Sequence, residues 1–165
     1  TTAATLLDGA IVTIRRLVAD DYDAVVALAV TLSDQERYMR FFTVHPAYIG
    51  ERALSLTAPA VGVVALGAVE ATDLIGVANY AATDRPGYAE VAAVVAHDQH
   101  DRGVGTALLR NLGHLAHCSG QRHLVADILV ENRAMCRVIT DAGWPRTQHH
   151  DAGVLSIDVD LDHLR

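Results

Sequence analysis

The sequence predicts an α+β domain organised around a mixed sheet, and three observations carry that expectation. First, Val61 to Glu70, Leu74 to Ala82 and Tyr88 to Ala96 are apolar, β-branched runs punctuated by Asp73 and by Asp84-Arg85-Pro86-Gly87. They read as three antiparallel strands joined by turns. Second, a glycine-bearing loop follows and opens a helix from about Gly103 to Cys118, which stops near Ser119-Gly120. Third, the rest of the chain alternates element types. His123 to Val130 reads as a strand, Asn132 to Ala142 as a helix ending at Gly143, and Arg146 to His150 and Val154 to Asp160 as two closing strands. A hairpin run followed by strand-helix-strand gives a mixed sheet.

The elements ahead of these are less regular. Ile11 to Arg16 alternates apolar and polar residues, the pattern of a strand. Asp20 is placed to cap a helix whose apolar positions, from Val25 to Leu32, include Val26, Ala29 and Val30. Ser33 and Glu36 form a capping box for a second helix running through Tyr38 to about Phe41. A third short helix is expected over Ala47 to Leu56, after Pro46. No repeat, low-complexity tract or linker interrupts the 165 residues, so positions 1–165 read as a single domain.

Composition narrows the function. Half the chain is apolar (51%), enough for a sizeable core, yet no apolar run approaches the roughly 20 residues of a membrane span. A soluble, cytoplasmic protein without a membrane partner is expected. The chain does not begin with Met, so its start is processed, trimmed or preceded by another segment. The formal net charge of −7 argues against a nucleic-acid partner, which needs a basic face, and weakly suits a cationic substrate. Cys118 and Cys136 are too few for a disulfide framework and read as packing residues. Among the nine histidines, His97 and His100, His114 and His117, and His149 and His150 form pairs, but no third and fourth ligand accompanies any of them. No metal is expected.

The most informative segment runs from Val94 to Leu109, VVAHDQHDRGVGTALL. A buried strand enters a glycine loop that opens a helix. The first helical N–H groups lack partners inside the helix and carry the positive end of its dipole. A phosphate or pyrophosphate is their natural guest. Gly103 and Gly105 are expected to clear side chains from the path of the anion. A Rossmann loop would need a third glycine where Leu108 stands, and a P-loop would need Gly-Lys-Ser/Thr.

That segment resembles the acetyl-CoA signature of the GNAT superfamily, Q/R-x-x-G-x-G/A, here His100-Asp101-Arg102-Gly103-Val104-Gly105. His100 departs from the usual Gln or Arg. Asn132-Arg133-Ala134-Met135 through Ala142-Gly143-Trp144 resembles the family's second cofactor motif. The opening is similar to that of the bacterial protein lysine acetyltransferases called Pat: Leu7-Asp8-Gly9, Ile14-Arg15-Arg16-Leu17 and Ser33-Asp34-Gln35-Glu36-Arg37-Tyr38-Met39-Arg40-Phe41-Phe42. In Pat proteins a regulatory or acyl-CoA synthetase-like module often accompanies this domain.

The resemblance implies the GNAT fold, a mixed, mostly antiparallel sheet of about six to seven strands flanked by about four helices. It implies acetyl-CoA as co-substrate, held by His100, Asp101, Arg102, Gly103, Val104, Gly105 and Thr106. Main-chain groups of Ala93, Val94 and Val95 are expected to guide the pantetheine arm where the fourth and fifth strands splay, and one of their N–H groups to face the thioester carbonyl. Asn132 is expected to bond pantetheine, cap its helix, or both. Ile139 stands where many members carry a Tyr that protonates the leaving thiolate.

The implied reaction is transfer of acetyl to an amine. A free lysine, with a pKa near ~10.4, is mostly protonated at neutral pH and gains from a base. Glu90 occupies the family's catalytic position, in Tyr88-Ala89-Glu90-Val91. Strand alternation by itself would place it in solvent, whereas its apolar neighbours predict a desolvated and hence stronger base. The acceptor is expected to be a protein lysine. Polyamines, antibiotics and a non-catalytic acyl-CoA sensor are the alternatives.

Overall fold

The computed structural model describes residues 1–31, 57–58, 62–99, 102–130 and 132–163. The helices expected over Ser33 to Phe41 and Ala47 to Leu56 lie outside them. The strands are β1 (Thr2–Thr5), β2 (Ile11–Arg16), β3 (Val63–Glu70), β4 (Asp73–Ala82), β5 (Tyr88–Val95), β6 (His123–Leu129), β7 (Arg146–Asp151) and β8 (Val154–Asp160). The helices are α1 (Tyr22–Thr31), α2 (Val104–Cys118) and α3 (Arg133–Ala142). The strands form one sheet in the order β1-β2-β3-β4-β5-β6-β8-β7. Every neighbouring pair is antiparallel except β5 and β6, which α2 connects in parallel.

The α+β class and the mixed, mostly antiparallel sheet are as the sequence predicts. The strand count is eight rather than six to seven, because Thr2–Thr5 adds an edge strand to β2. Its sequence, Thr-Ala-Ala-Thr, carries no large apolar residue and none of its residues is fully buried, so no periodicity marks it. With β1 counted, the strands that were expected to splay as the fourth and fifth are β5 and β6.

The sheet is covered on both faces. On one, Leu108, Leu109 and Leu112 of α2 and Ile139 of α3 are at most 1% exposed and pack against Ala78 and Tyr80 of β4, Leu124 of β6 and Val159 of β8. Full burial of such a leucine contributes about 1.5–3 kcal/mol, so α2 is firmly fixed to the sheet and the loop before it starts from a rigid base. On the other face, Val25 and Leu28 of α1 pack on Ala65, Val77 and Ala96. Val30, expected among the apolar positions of this helix, is 64% exposed.

The entry to α1 differs from expectation at one residue. A single 3-10 turn, Ala19–Asp21, precedes the helix. Asp20 makes no cap bond there; the buried Asp21, third in the turn, instead reaches back to the residue that opens it. Its carboxylate accepts from the Val18 N–H at 2.7 Å and from both terminal nitrogens of Arg15 at 2.8 and 2.9 Å. The neighbouring guanidinium, and then the Val18 amide, hold the Asp21 carboxyl below its ordinary range. A carboxyl lowered on folding adds stability above its unfolded pKa of about 4, and that stability is lost as pH falls. Asp21→Ala is therefore expected to lower stability at neutral pH by about 1–3 kcal/mol in urea unfolding, with the difference from wild type shrinking below about pH 4.

Candidate active site

The parallel ladder between β5 and β6 is short. Tyr88 pairs with His123, Ala89 with Leu124 and Glu90 with Val125, and no register partners follow. β5 nevertheless continues to Val95, fully paired with β4 on its other side, and β6 continues to Leu129. The two strands therefore part after Glu90.

Backbone alternation decides which groups line the gap. The Ala96 N–H donates to the Ile75 carbonyl at 2.9 Å, so the even-numbered peptides of β5 face β4. The amides of Ala93 and Val95 face the β6 side. The Val94 main chain is turned to β4, opposite Val77. Of the three residues expected to guide an arm in the gap, Ala93 and Val95 turn their main-chain groups toward it and Val94 does not. Glu90 marks the edge of the gap and its side chain is exposed. The desolvated setting expected from its apolar neighbours is not formed, because Ala89 and Val91 point to the opposite, buried face.

The glycine loop adjoins the end of β5. Gly103 precedes α2 with φ of +85°, a left-handed conformation that suits glycine. Its carbonyl accepts the first intrahelical bond, from the Ala107 N–H at 3.0 Å. The N–H groups of Val104, Gly105 and Thr106 thus lack acceptors within the helix. The N-cap residue, glycine, has no side chain to cap this end, and the first turn of the helix holds no acidic residue. These are the requirements of an anion site. His100 and Asp101 lie outside the described residues.

Gly105 also answers a packing need. A Cβ there would sit 2.9 Å from Val138 Cγ2 and 3.6 Å from Val95 Cγ2. The missing side chain lets α2 approach α3 and the end of β5.

The Arg102 side chain is engaged within the protein. Its Nε donates to Asp8 at 2.8 Å, its terminal nitrogens to Glu70 at 2.6 and 3.1 Å, and one of these also to Gln99. Glu70 first, and Asp8 second, hold the guanidinium in its charged form. The side chain is thus turned to the protein. The sequence reading placed Asp8 in a family motif without assigning it a partner and passed over Glu70, whose only signal was charge.

Across the gap, Asn132 sits at the start of α3, where its Oδ1 accepts from the Met135 N–H at 3.2 Å. The capping role expected of it is formed. α3 ends at Gly143, and the following Trp144 is buried.

The sequence profile of the acetyltransferase (GNAT) domain matches residues 12–144. The chain belongs to this family. Among solved structures it is similar to the GNAT domain of S. lividans PAT, at 28% identity over 96% of both chains with a TM-score of 0.85. It is similar in fold to yncA of Salmonella typhimurium, determined with its cofactor acetyl-CoA, at 19% identity over 93% of this chain and 95% of that one (TM-score 0.69). It also matches a cAMP-binding acyltransferase from Mycobacterium smegmatis at 20% identity and a TM-score of 0.65, covering 97% of this chain but only 46% of that one. A comparison with curated protein sequences finds no match.

As a GNAT domain, the chain is an acetyl-CoA-dependent N-acetyltransferase. Ile139, at the position where many GNAT members carry Tyr, is 1% exposed and sits in the main core. It has no proton to give. Cys118 is exposed at the end of α2, and burial raises the pKa of the Cys136 thiol, which makes it a poorer nucleophile. Among the described residues no three His, Cys, Asp or Glu side chains come together as metal ligands, and no helix is long and apolar enough to cross a membrane.

The Gly105 contact is testable. Gly105→Ala forces a methyl against Val138, and overpacking of this kind costs about 1–3 kcal/mol. Thermal unfolding should show a lowered Tm for Gly105→Ala and partial recovery for Gly105→Ala with Val138→Ala. If the two changes add independently, the packing account of Gly105 is wrong.

Proposed function

We propose that this GNAT domain acetylates a protein lysine by direct attack on acetyl-CoA, with Glu90 as general base. The observation that carries the reading is the parting of β5 from β6 immediately after Glu90, which sets that carboxylate at the edge of the gap. In the proposed arrangement the pantetheine arm lies along β5 as an added strand, and its diphosphate rests on the amides of Gly103 to Thr106. The Ala93 N–H faces the thioester carbonyl and stabilises the developing oxyanion. Glu90, directly or through one water, takes a proton from the bound ammonium, and the neutral amine that results is the nucleophile. The amine nitrogen bonds to the acetyl carbon to give a tetrahedral intermediate, the carbon–sulfur bond breaks, and the thiolate takes a proton from solvent or from the intermediate's positively charged nitrogen, which becomes the neutral amide. The Nδ2 group of Asn132, whose Oδ1 caps α3, is available to donate to the arm.

The acceptor class rests on two supports. The likeness to the S. lividans PAT domain spans nearly all of both chains, and the opening motifs resemble those of the Pat lysine acetyltransferases. The sheet face beside Glu90 also carries carboxylates, one of them, Asp158, already bonded to the His123 ring at 2.7 Å, and these would suit a cation of either class. By strand alternation Asp158 of β8 shares the face of Glu90, two strands away across Val125, about 10 Å at the backbone. Asp127 and Asp160 lie on the same face of β6 and β8. The acceptor is distinguished from a polyamine by comparing kcat/KM on lysine peptides with that on spermidine.

Glu90→Gln is expected to lower kcat by about 10²–10⁴-fold, most sharply near neutral pH, and to leave the acetyl-CoA Kd within about 2-fold. Unchanged turnover across the pH range would remove Glu90 from the reaction. Tight coenzyme binding with no acceptor-dependent release of CoA, in the wild-type protein, would favour the sensor reading.

A further inference from the structure

The turn joining β1 to β2 is an ordered structure. Its Gly9 N–H donates to the Leu6 carbonyl at 3.0 Å and its Leu6 N–H to the Ala10 carbonyl at 2.8 Å. One oxygen of Asp8 accepts from the Ala10 N–H at 3.0 Å, which fixes that carboxylate within its own turn. The other oxygen receives Arg102 Nε. The main chain repeats the connection, because the Leu7 N–H donates to the Arg102 carbonyl at 2.9 Å. Glu70, at the end of β3, grips the other edge of the same guanidinium with both oxygens. Leu7 lies over Gly103, whose Cβ position would be 3.1 Å from Leu7 Cγ. One residue of the loop is thus held by two separate turns of the sheet.

We propose that Arg102 is a positioning residue for the coenzyme loop: by joining Asp8 and Glu70 it holds the loop so that the amides of Gly103 to Thr106 keep their aim at the diphosphate. This rests on the reading that the diphosphate binds there. The sign of one effect separates positioning from direct contact. Asp8 and Glu70 are negative groups beside a site for a polyanion. If they act only through their charge, neutralising them tightens coenzyme binding. If they position the loop through Arg102, neutralising them weakens it. Lysine is a second discriminator. It retains the charge but cannot span two carboxylates with a planar fork.

The experiment measures acetyl-CoA Kd by calorimetry and kcat at saturating coenzyme for Arg102→Met, Arg102→Lys and the pair Asp8→Asn with Glu70→Gln. Circular dichroism checks folding, and Thr106→Glu serves as a probe of the loop itself. The expected result is a Kd weakened by roughly 10-fold in all three positioning variants, with kcat within about 2-fold. Tighter or unchanged binding in the Asp8→Asn, Glu70→Gln pair overturns the proposal, as does full rescue by Arg102→Lys. The isosteric pair keeps the test open should Arg102→Met fail to fold. If Thr106→Glu leaves Kd unchanged, the diphosphate does not bind at this loop, and that reading falls with the proposal. If Thr106→Glu weakens binding while the other variants do not, only the positioning role is lost.

Discussion

The architecture turns on an incomplete ladder. β5 is paired with β4 along its whole length but with β6 over three residues. A strand half released from its neighbour keeps its shape because the other neighbour and the core hold it, and its outward main chain is left directed at the gap. The crossover through α2 makes this possible. Parallel strands need a long connection, and the helix that supplies it begins at the end of the released strand. An extended main-chain surface and a helix N-terminus are thereby placed side by side. In the proposed reading one takes an extended amide-containing arm and the other an anion, the two parts of a single coenzyme.

The rigidity of this arrangement comes from the two cores. α2 is fixed by leucines that are almost wholly buried, and α1 closes the opposite face over β3, β4 and β5. At Arg102, just before α2, the tie is of another kind. There the protein uses charge rather than apolar packing: a guanidinium shared by two carboxylates, with a main-chain bond beside it. Arg102 is charged at every working pH. Asp8 and Glu70 are each held below their ordinary range chiefly by Arg102, which favours the ionised clamp.

Much of the fold was legible because the signals are local. The apolar runs of β3, β4 and β5, the stop of α2 at Ser119-Gly120 and the Asn cap of α3 depend on residues a few positions apart. β1 was not legible, since an edge strand of Thr and Ala has no buried face to mark its period. Asp20 and Asp21 are adjacent and chemically alike, and Arg15 decides between them. The site shows the same division. The motif located the loop and the strand beside it. It did not show what Arg102 holds, because its partners Asp8 and Glu70 lie 94 and 32 residues away. Nor did it distinguish Gly103, needed for a left-handed turn, from Gly105, needed for helix packing against Val138.

The account stands most directly on where the coenzyme contacts the main chain. Amide hydrogen exchange resolved by residue, with and without saturating CoA, reads this without assuming an acceptor. The account predicts slowed exchange at Ala93 and at Val104, Gly105 and Thr106, with β2 and β7 unaffected. Protection that leaves these four amides unchanged and appears elsewhere on the sheet would contradict it.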